Sequence, residues 1–158
     1  MRFYCVDRVL EVRRGEFVRG VKNVALSDDV FNEHFPDNPL YPGTLIVEAL
    51  AQVGGFLVEC SMRHGAADLR RAVLAQIDKA KFHQPCRPGD QIELGCSLVS
   101  TLEGAARVEG EARVRGGLAA AATLTFRLVE VASEAVHAQR RQLYRLWTQD
   151  LNLGFAIP

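Results

Sequence analysis

The stretch His34-Phe35-Pro36-Asp37-Asn38-Pro39-Leu40-Tyr41-Pro42-Gly43-Thr44-Leu45-Ile46-Val47-Glu48 sets a proline-punctuated loop directly against an apolar run. Pro36, Pro39 and Pro42 each fix their own φ and so restrict the path of the loop. Gly43 permits close backbone approach where a helix should begin with unpartnered N–H groups. From 44 to about 63, apolar residues fall on nearly every side of a helical wheel, which predicts a helix wrapped by other structure. Gly65 then stops it, and 66–71 is a polar connection.

Extended segments surround this helix in sequence. Residues 3–12 and 16–26 alternate apolar and polar positions about the turn Arg14-Gly15, and read as a hairpin. Residues 27–43 carry loop chemistry throughout. After the helix come four strands, 72–82, 90–102, 105–115 and 118–131, parted by residues 85–89, Gly104 and Gly116-Gly117. One helix amid strands of this order predicts an α+β layer arrangement, a curved antiparallel β-sheet around a central α-helix. Ser133 can cap a further helix over 133–150, with Val136, Leu143, Leu146 and Trp147 on one face and Arg140, Arg141 and Arg145 on another.

Composition narrows the function. The chain has 158 residues, 48% of them hydrophobic, which is enough for one domain with a real core. Lys plus Arg and Asp plus Glu balance at 19 each, and no basic patch interleaved with aromatics occurs, so nucleic-acid binding is disfavoured. The longest apolar run, about 40–58, contains Pro42, Glu48, Gln52 and Gly54-Gly55, which suits burial in protein better than a membrane span. Cys5, Cys60, Cys86 and Cys96 lack metal-ligand spacing, and with no secretory leader they read as reduced thiols in a cytoplasmic setting.

The chemistry sits in the opening stretch. His34 can take or give a proton near neutral pH, and Glu48 among Leu45, Ile46, Val47, Leu50 and Val53 should be desolvated, which favours a proton-donating carboxyl. Gly43 N–H at the positive end of the helix is placed to polarise a carbonyl. Gln52, one turn after Glu48 on the same face, can orient that carboxylate or a water.

His34-Phe35-Pro36, Pro42-Gly43 and Glu48-Ala49-Leu50-Ala51-Gln52 resemble the signature of the 3-hydroxyacyl-acyl-carrier-protein dehydratases of type II fatty acid synthesis, which have the hotdog fold. Asp7-Arg8-Val9-Leu10-Glu11, Val21-Lys22-Asn23-Val24, Phe82 and Arg87-Pro88-Gly89-Asp90-Gln91 extend the resemblance over residues 1 to about 130. It implies a hotdog domain at 1–131 with a helical extension at 132–158 that has no match in the family. It also implies His34 as base and Glu48 as acid, drawn from different subunits, so that a homodimer, alone or as a trimer of dimers, is the working assembly. Acyl carrier protein would deliver the substrate, and no metal or organic cofactor would be required. Phe31, Phe35 and Phe82 match candidates for lining an apolar acyl tunnel. Glu48 stands where the related dehydratase-isomerases have Asp, which points to simple dehydration. Glu33 and Asp37 stand where the family usually has Gly, and the segment before Asp7-Arg8 is short. A hotdog acyl thioesterase, which lacks the His-Phe-Pro loop, and a non-catalytic acyl-binding hotdog are the alternatives. The C-terminal helix is expected to pack on the sheet or a neighbouring subunit, with a carrier-protein dock through Arg140, Arg141 and Arg145 as the other reading.

Overall fold

The computed structural model describes residues 3–158. Six strands form one antiparallel sheet in the order β1-β2-β4-β5-β6-β3: β1 Arg8–Arg13, β2 Phe17–Asn23, β3 Arg70–Phe82, β4 Gln91–Leu102, β5 Ala105–Val114 and β6 Gly117–Glu130. Helix α1, Gly43–Met62, crosses the sheet, and a second helix, α2, Glu134–Trp147, follows β6. The polypeptide leaves β2 at one side, passes through α1 and returns as β3 at the opposite edge, so α1 lies across the strands between them.

The sheet face follows from period-two patterning. On β5, Ala106, Val108, Gly110, Ala112 and Val114 point inward and alternate with Arg107, Glu109 and Glu111. Two glycines set how closely α1 approaches: a Cβ on Gly110 would come within 3.3 Å of Leu50, and one on Gly54 within 3.4 Å of Val108. Ile46, Val47, Leu50, Val53, Phe56, Leu57 and Val58 fill the core on all sides of α1. This helix is long and apolar enough to cross a bilayer, but most of it is buried within the fold.

The structure departs from the sequence expectations at the N-terminal hairpin. The first strand begins at Arg8 rather than residue 3, because Cys5 N–H donates to Gln52 Oε1 on α1 (3.0 Å) instead of joining a ladder. The second ends at Asn23, where Asp28 Oδ2 accepts from Ala25 N–H and turns the chain. Within the segment read as loop, Asp29–Asn32 is a single 3₁₀ turn.

Helix α2 joins the core that α1 shares with the sheet, but on a different face from the one its spacing suggested. Leu143 and Trp147 are buried as expected; Val136 and Leu146 are 37% and 57% exposed, and His137 and Tyr144 take the inner positions. Tyr144 meets Phe56 edge-on at 4.7 Å, and Trp147 Nε1–H donates to Val6 O (3.1 Å). The polar partner is Glu59 of α1, only 1% exposed. Its carboxylate accepts from Arg71 NH1 (2.6 Å), Ala72 N–H (3.0 Å) and Tyr144 O–H (3.0 Å). Arg71 Nε donates to His137 Nδ1 (3.0 Å), while His137 Nε2–H donates to Val131 O (2.7 Å). A buried ion pair thus has its remaining donors and acceptors met largely by α2. Ser133 Oγ caps the helix by accepting from Val136 N–H.

Candidate active site

The loop 33–42 is pinned from both sides. Leu40 N–H donates to His34 O (3.0 Å), Tyr41 N–H to Cys86 O (2.8 Å), and Arg87 NH1 to Asn38 Oδ1 (2.6 Å) and Pro39 O (3.2 Å). The turn that supplies Cys86 and Arg87 is itself fixed by Arg87 N–H to Asp90 Oδ2 (2.8 Å) and Gly89 N–H to Val24 O (2.9 Å).

These bonds present His34 in a defined tautomer. Its Nδ1 lies 2.7 Å from Leu40 O, and a carbonyl only accepts, so Nδ1 carries the proton and Nε2 is left with a lone pair. The imidazole stacks on Phe35 at 4.3 Å, and it lines a cleft of about 460 Å³ with Pro42, Gly43, Ile46, Phe82 and Cys86. Gly43 starts α1, and its N–H has no acceptor among the described residues, so the positive end of the helix opens here. Phe82 shows why glycine stands at 43: a Cβ would lie 2.7 Å from the ring. Burial pushes the Cys86 thiol up to about 11, so it behaves as a small apolar wall.

Glu48 lies on a different wall. It faces two smaller cavities, about 140 and 210 Å³, which it shares with Gln52 and, from α2, Arg140. Gln52 Nε2 donates to Glu48 Oε1 (2.9 Å) and to Phe3 O (3.0 Å), and Gln52 Oε1 accepts from Cys5 N–H (3.0 Å). The amide therefore cannot flip without losing bonds, and it holds one carboxylate oxygen in place. Glu48 is half-buried rather than enclosed.

Of the residues singled out in the sequence, His34, Gly43 and Phe82 share one cleft and Glu48 and Gln52 share others, so within one chain the imidazole and the carboxylate line separate cavities among the described residues. Phe35 is 48% exposed at the cleft side, whereas Phe31 is buried against Tyr41 (6.4 Å between rings) and lines none of these cavities. Sequence reasoning missed His83 and Gln84 on the cleft wall and Arg140 beside Glu48; the basic spacing of the last helix was visible, but not where it would lie. No three His, Cys, Asp or Glu side chains converge to hold a metal ion among the described residues.

Residues 1–123 match the model of the FabA-like domain family. The chain belongs to the 3-hydroxyacyl-[acyl-carrier-protein] dehydratase family. It is 40% identical over 131 residues to the 3-hydroxyacyl-[acyl-carrier-protein] dehydratase FabZ of a Nitratiruptor species, covering 81% of this chain and 88% of that one. With the FabZ of Campylobacter lari it shares 41% over 129 residues, again 81% and 88% of the two chains. Among solved structures, the dehydratase heterocomplex ApeI:P of Xenorhabdus doucetiae superposes with a TM-score of 0.63 at 15% identity over 87% of this chain and 90% of that one. Thioesterase HI1161 of Haemophilus influenzae gives 0.61 at 13% over 79% and 80%. At such identities these two establish the hotdog fold alone, as the sheet wrapped on α1 does independently.

Proposed function

We propose that this family member removes water from a 3-hydroxyacyl thioester, delivered on acyl carrier protein, to give the trans-2-enoyl thioester. The observation that carries the mechanism is the His34 Nδ1–H to Leu40 O bond, which leaves Nε2 free as a base in the cleft where α1 begins. His34 Nε2 takes the proton from C2. The electron pair released forms the C2–C3 double bond, the C3–O bond breaks, and Glu48 gives its proton to the departing oxygen, which leaves as water. Negative charge growing on the thioester oxygen is met by Gly43 N–H at the helix terminus, and Gln52 keeps the carboxyl aimed.

Base and acid face different cavities of one chain, which supports a site assembled from His34 of one subunit and Glu48 of another. One edge of the sheet is β3, 13 residues long, with Val73 and Ile77 each 47% exposed, and it is the surface on which a second copy would extend the sheet. A homodimer is then the smallest active unit, acting in the cytoplasm, with Phe82 and Phe35 against the acyl chain. The Glu48 carboxyl, rather than an Asp, favours dehydration without isomerisation.

Mass spectrometry of a reaction with 3-hydroxyacyl and plain acyl thioesters tests the proposal. The hydroxyacyl substrate should lose about 18 Da, the mass of the water expelled by acid–base elimination. Release of the thiol from either substrate would make the chain a thioesterase, and no change in either would make it an acyl-binding protein.

A further inference from the structure

Helix α2 lies outside the residues that match the FabA-like family, yet it reaches the wall of the Glu48 cavities. Arg140 brings a cation there. It lines both cavities with Glu48 and Gln52, and its guanidinium stands 6.0 Å from the Tyr144 ring centroid. Tyr144 is in turn locked by its O–H bond to Glu59, so the arginine rests on a fixed platform. Its neighbour Arg141 is neutralised by Glu134 at 2.6 Å, whereas Arg140 has no carboxylate partner among the described residues.

The other charged and titratable groups around Glu48 do not compete for this role. From α1, Glu59 lines one of the two cavities but is satisfied by Arg71, itself turned to Glu59 and His137. From the N-terminal segment, Tyr4 and Cys5 stand near, and the Cys5 thiol is pushed up to about 11, first by burial and then by the charge of Glu48. From β3 and β6 the wall is apolar, made of Ala72, Leu74 and Phe126. Among the described residues, Arg140 is the one cation that lines these cavities.

We infer that Arg140 is a positioning residue for the dehydration step, stabilising the negative charge that appears on Glu48 as its proton passes to the departing hydroxyl. The inference rests on the reading of Glu48 as the acid. A fixed cation beside a group that becomes anionic in the transition state lowers the barrier without reorganising, and does so more strongly in a partly desolvated cavity than in water. Gln52 holds one oxygen of the Glu48 carboxylate, and among the described residues no ion pair joins that carboxylate to Arg140. The charge of Arg140 acts on Glu48 across the cavities that both residues line.

The test uses the full chain with Arg140→Gln, Arg140→Lys and, as a control on the same helix, Arg141→Gln, assayed on a 3-hydroxyacyl pantetheine thioester so that carrier docking plays no part. Arg140→Gln should lower kcat about tenfold with KM within about twofold, and should move the alkaline limb of the pH–rate profile to higher pH. Arg140→Lys should recover most of kcat and the original limb, and Arg141→Gln should leave both unchanged. An unmoved limb in Arg140→Gln overturns the inference, whether kcat is retained or falls together with the melting temperature. Full activity on the pantetheine thioester with loss only on carrier-bound substrate also overturns it, by making Arg140 a docking residue. Glu48→Gln, assayed alongside, separates the two levels: if that variant keeps its activity, the acid assignment itself has failed, and if it is inactive while Arg140→Gln is normal, only the role of Arg140 has.

Discussion

Replacing Glu59 by Gln removes one charge from the most enclosed ion pair among the described residues. Arg71 is 2% exposed and its NH2 group already lacks a partner, so its guanidinium would remain buried with only the His137 nitrogen in contact. Leaving one member of a buried pair uncompensated costs about 3–5 kcal/mol. The amide keeps only one acceptor oxygen: turned to Ala72 N–H, it sets an NH2 against Arg71 and Tyr144 O–H, so an acceptor is lost along with the charge. For a chain of this size, at about 2–4 °C per kcal/mol, the melting temperature should fall by about 6–20 °C. The chain has a single Trp, and Trp147 sits 2% exposed on the helix that the network holds, so urea unfolding followed by its fluorescence reports the same event. Arg71→Met and the double variant complete a cycle, in which the coupling between the two positions should exceed about 1 kcal/mol. Losses under about 1 kcal/mol in both single variants, adding without coupling, would refute the claim that this pair anchors α2.

Other outcomes follow from the cleft and the core. His34→Ala and Glu48→Gln should each lower dehydration by about two or more orders of magnitude while the melting temperature holds, and mixing the two inactive proteins under subunit exchange should restore part of the activity; no recovery despite demonstrated exchange would place both groups in one chain's site. Gly43→Ala must displace the Phe82 ring, which a Cβ would meet at 2.7 Å, so kcat should fall by about tenfold or more, and pairing it with Phe82→Leu should return part of it; an unaffected rate would mean the ring moves freely. Burial pushes the Cys5, Cys86 and Cys96 thiols up to about 11, 11 and 12 from an ordinary value of 9.0. The folded state thus holds more protons than the unfolded one above pH 9, so stability present below that pH is lost as it rises toward 11 to 12, and a flat urea midpoint across that window would contradict the burial.

Where the sequence was readable, the signal was local. The strands at 105–114 and 117–130 were read to within a residue, because the turns at Gly104 and Gly116-Gly117 bound them. The central helix was legible from Pro42-Gly43 to Arg63 for a similar reason: its neighbours enclose it, so no polar stripe interrupts the run. The N-terminal strand was overextended because residues 3–6 join no ladder, and backbone pairing with β2 begins only at Asp7 N–H to Val21 O. Their partner is the amide of Gln52, 47 residues from Cys5, and period-two patterning cannot tell a ladder from a side chain. In the site, His34, Gly43 and Gln52 could be placed because helix start, loop rigidity and i,i+4 spacing are all short-range facts. Phe31 and Phe82 look alike in sequence, yet one is buried against Tyr41 and the other stands at the cleft over Gly43.

The last helix shows why such cases resist reading. Its apolar spacing put Val136 and Leu146 inward, but the face that packs is chosen by the polar demands of α1, not by α2 itself. Glu59 and Arg71 are 12 residues apart, and the groups that complete them, His137 and Tyr144, lie 66 residues from Arg71 and 85 from Glu59. A buried pair of this kind is costly unless every donor and acceptor is met, and α2 meets two of those needs while covering Phe56 with Tyr144 and Trp147. Rotating the helix to bury Val136 and Leu146 would gain their modest apolar area, about 1.5–3 kcal/mol each at full burial. It would give up Tyr144 O–H and the His137 nitrogen, leaving a carboxylate and a guanidinium under-bonded in the core, at about 1–3 kcal/mol or more for each unmet group. It would also uncover the aromatic rings. The observed face wins once the polar and aromatic losses are taken together, and the same rotation that seats Tyr144 on Glu59 carries Arg140, one turn earlier, to the cavities beside Glu48.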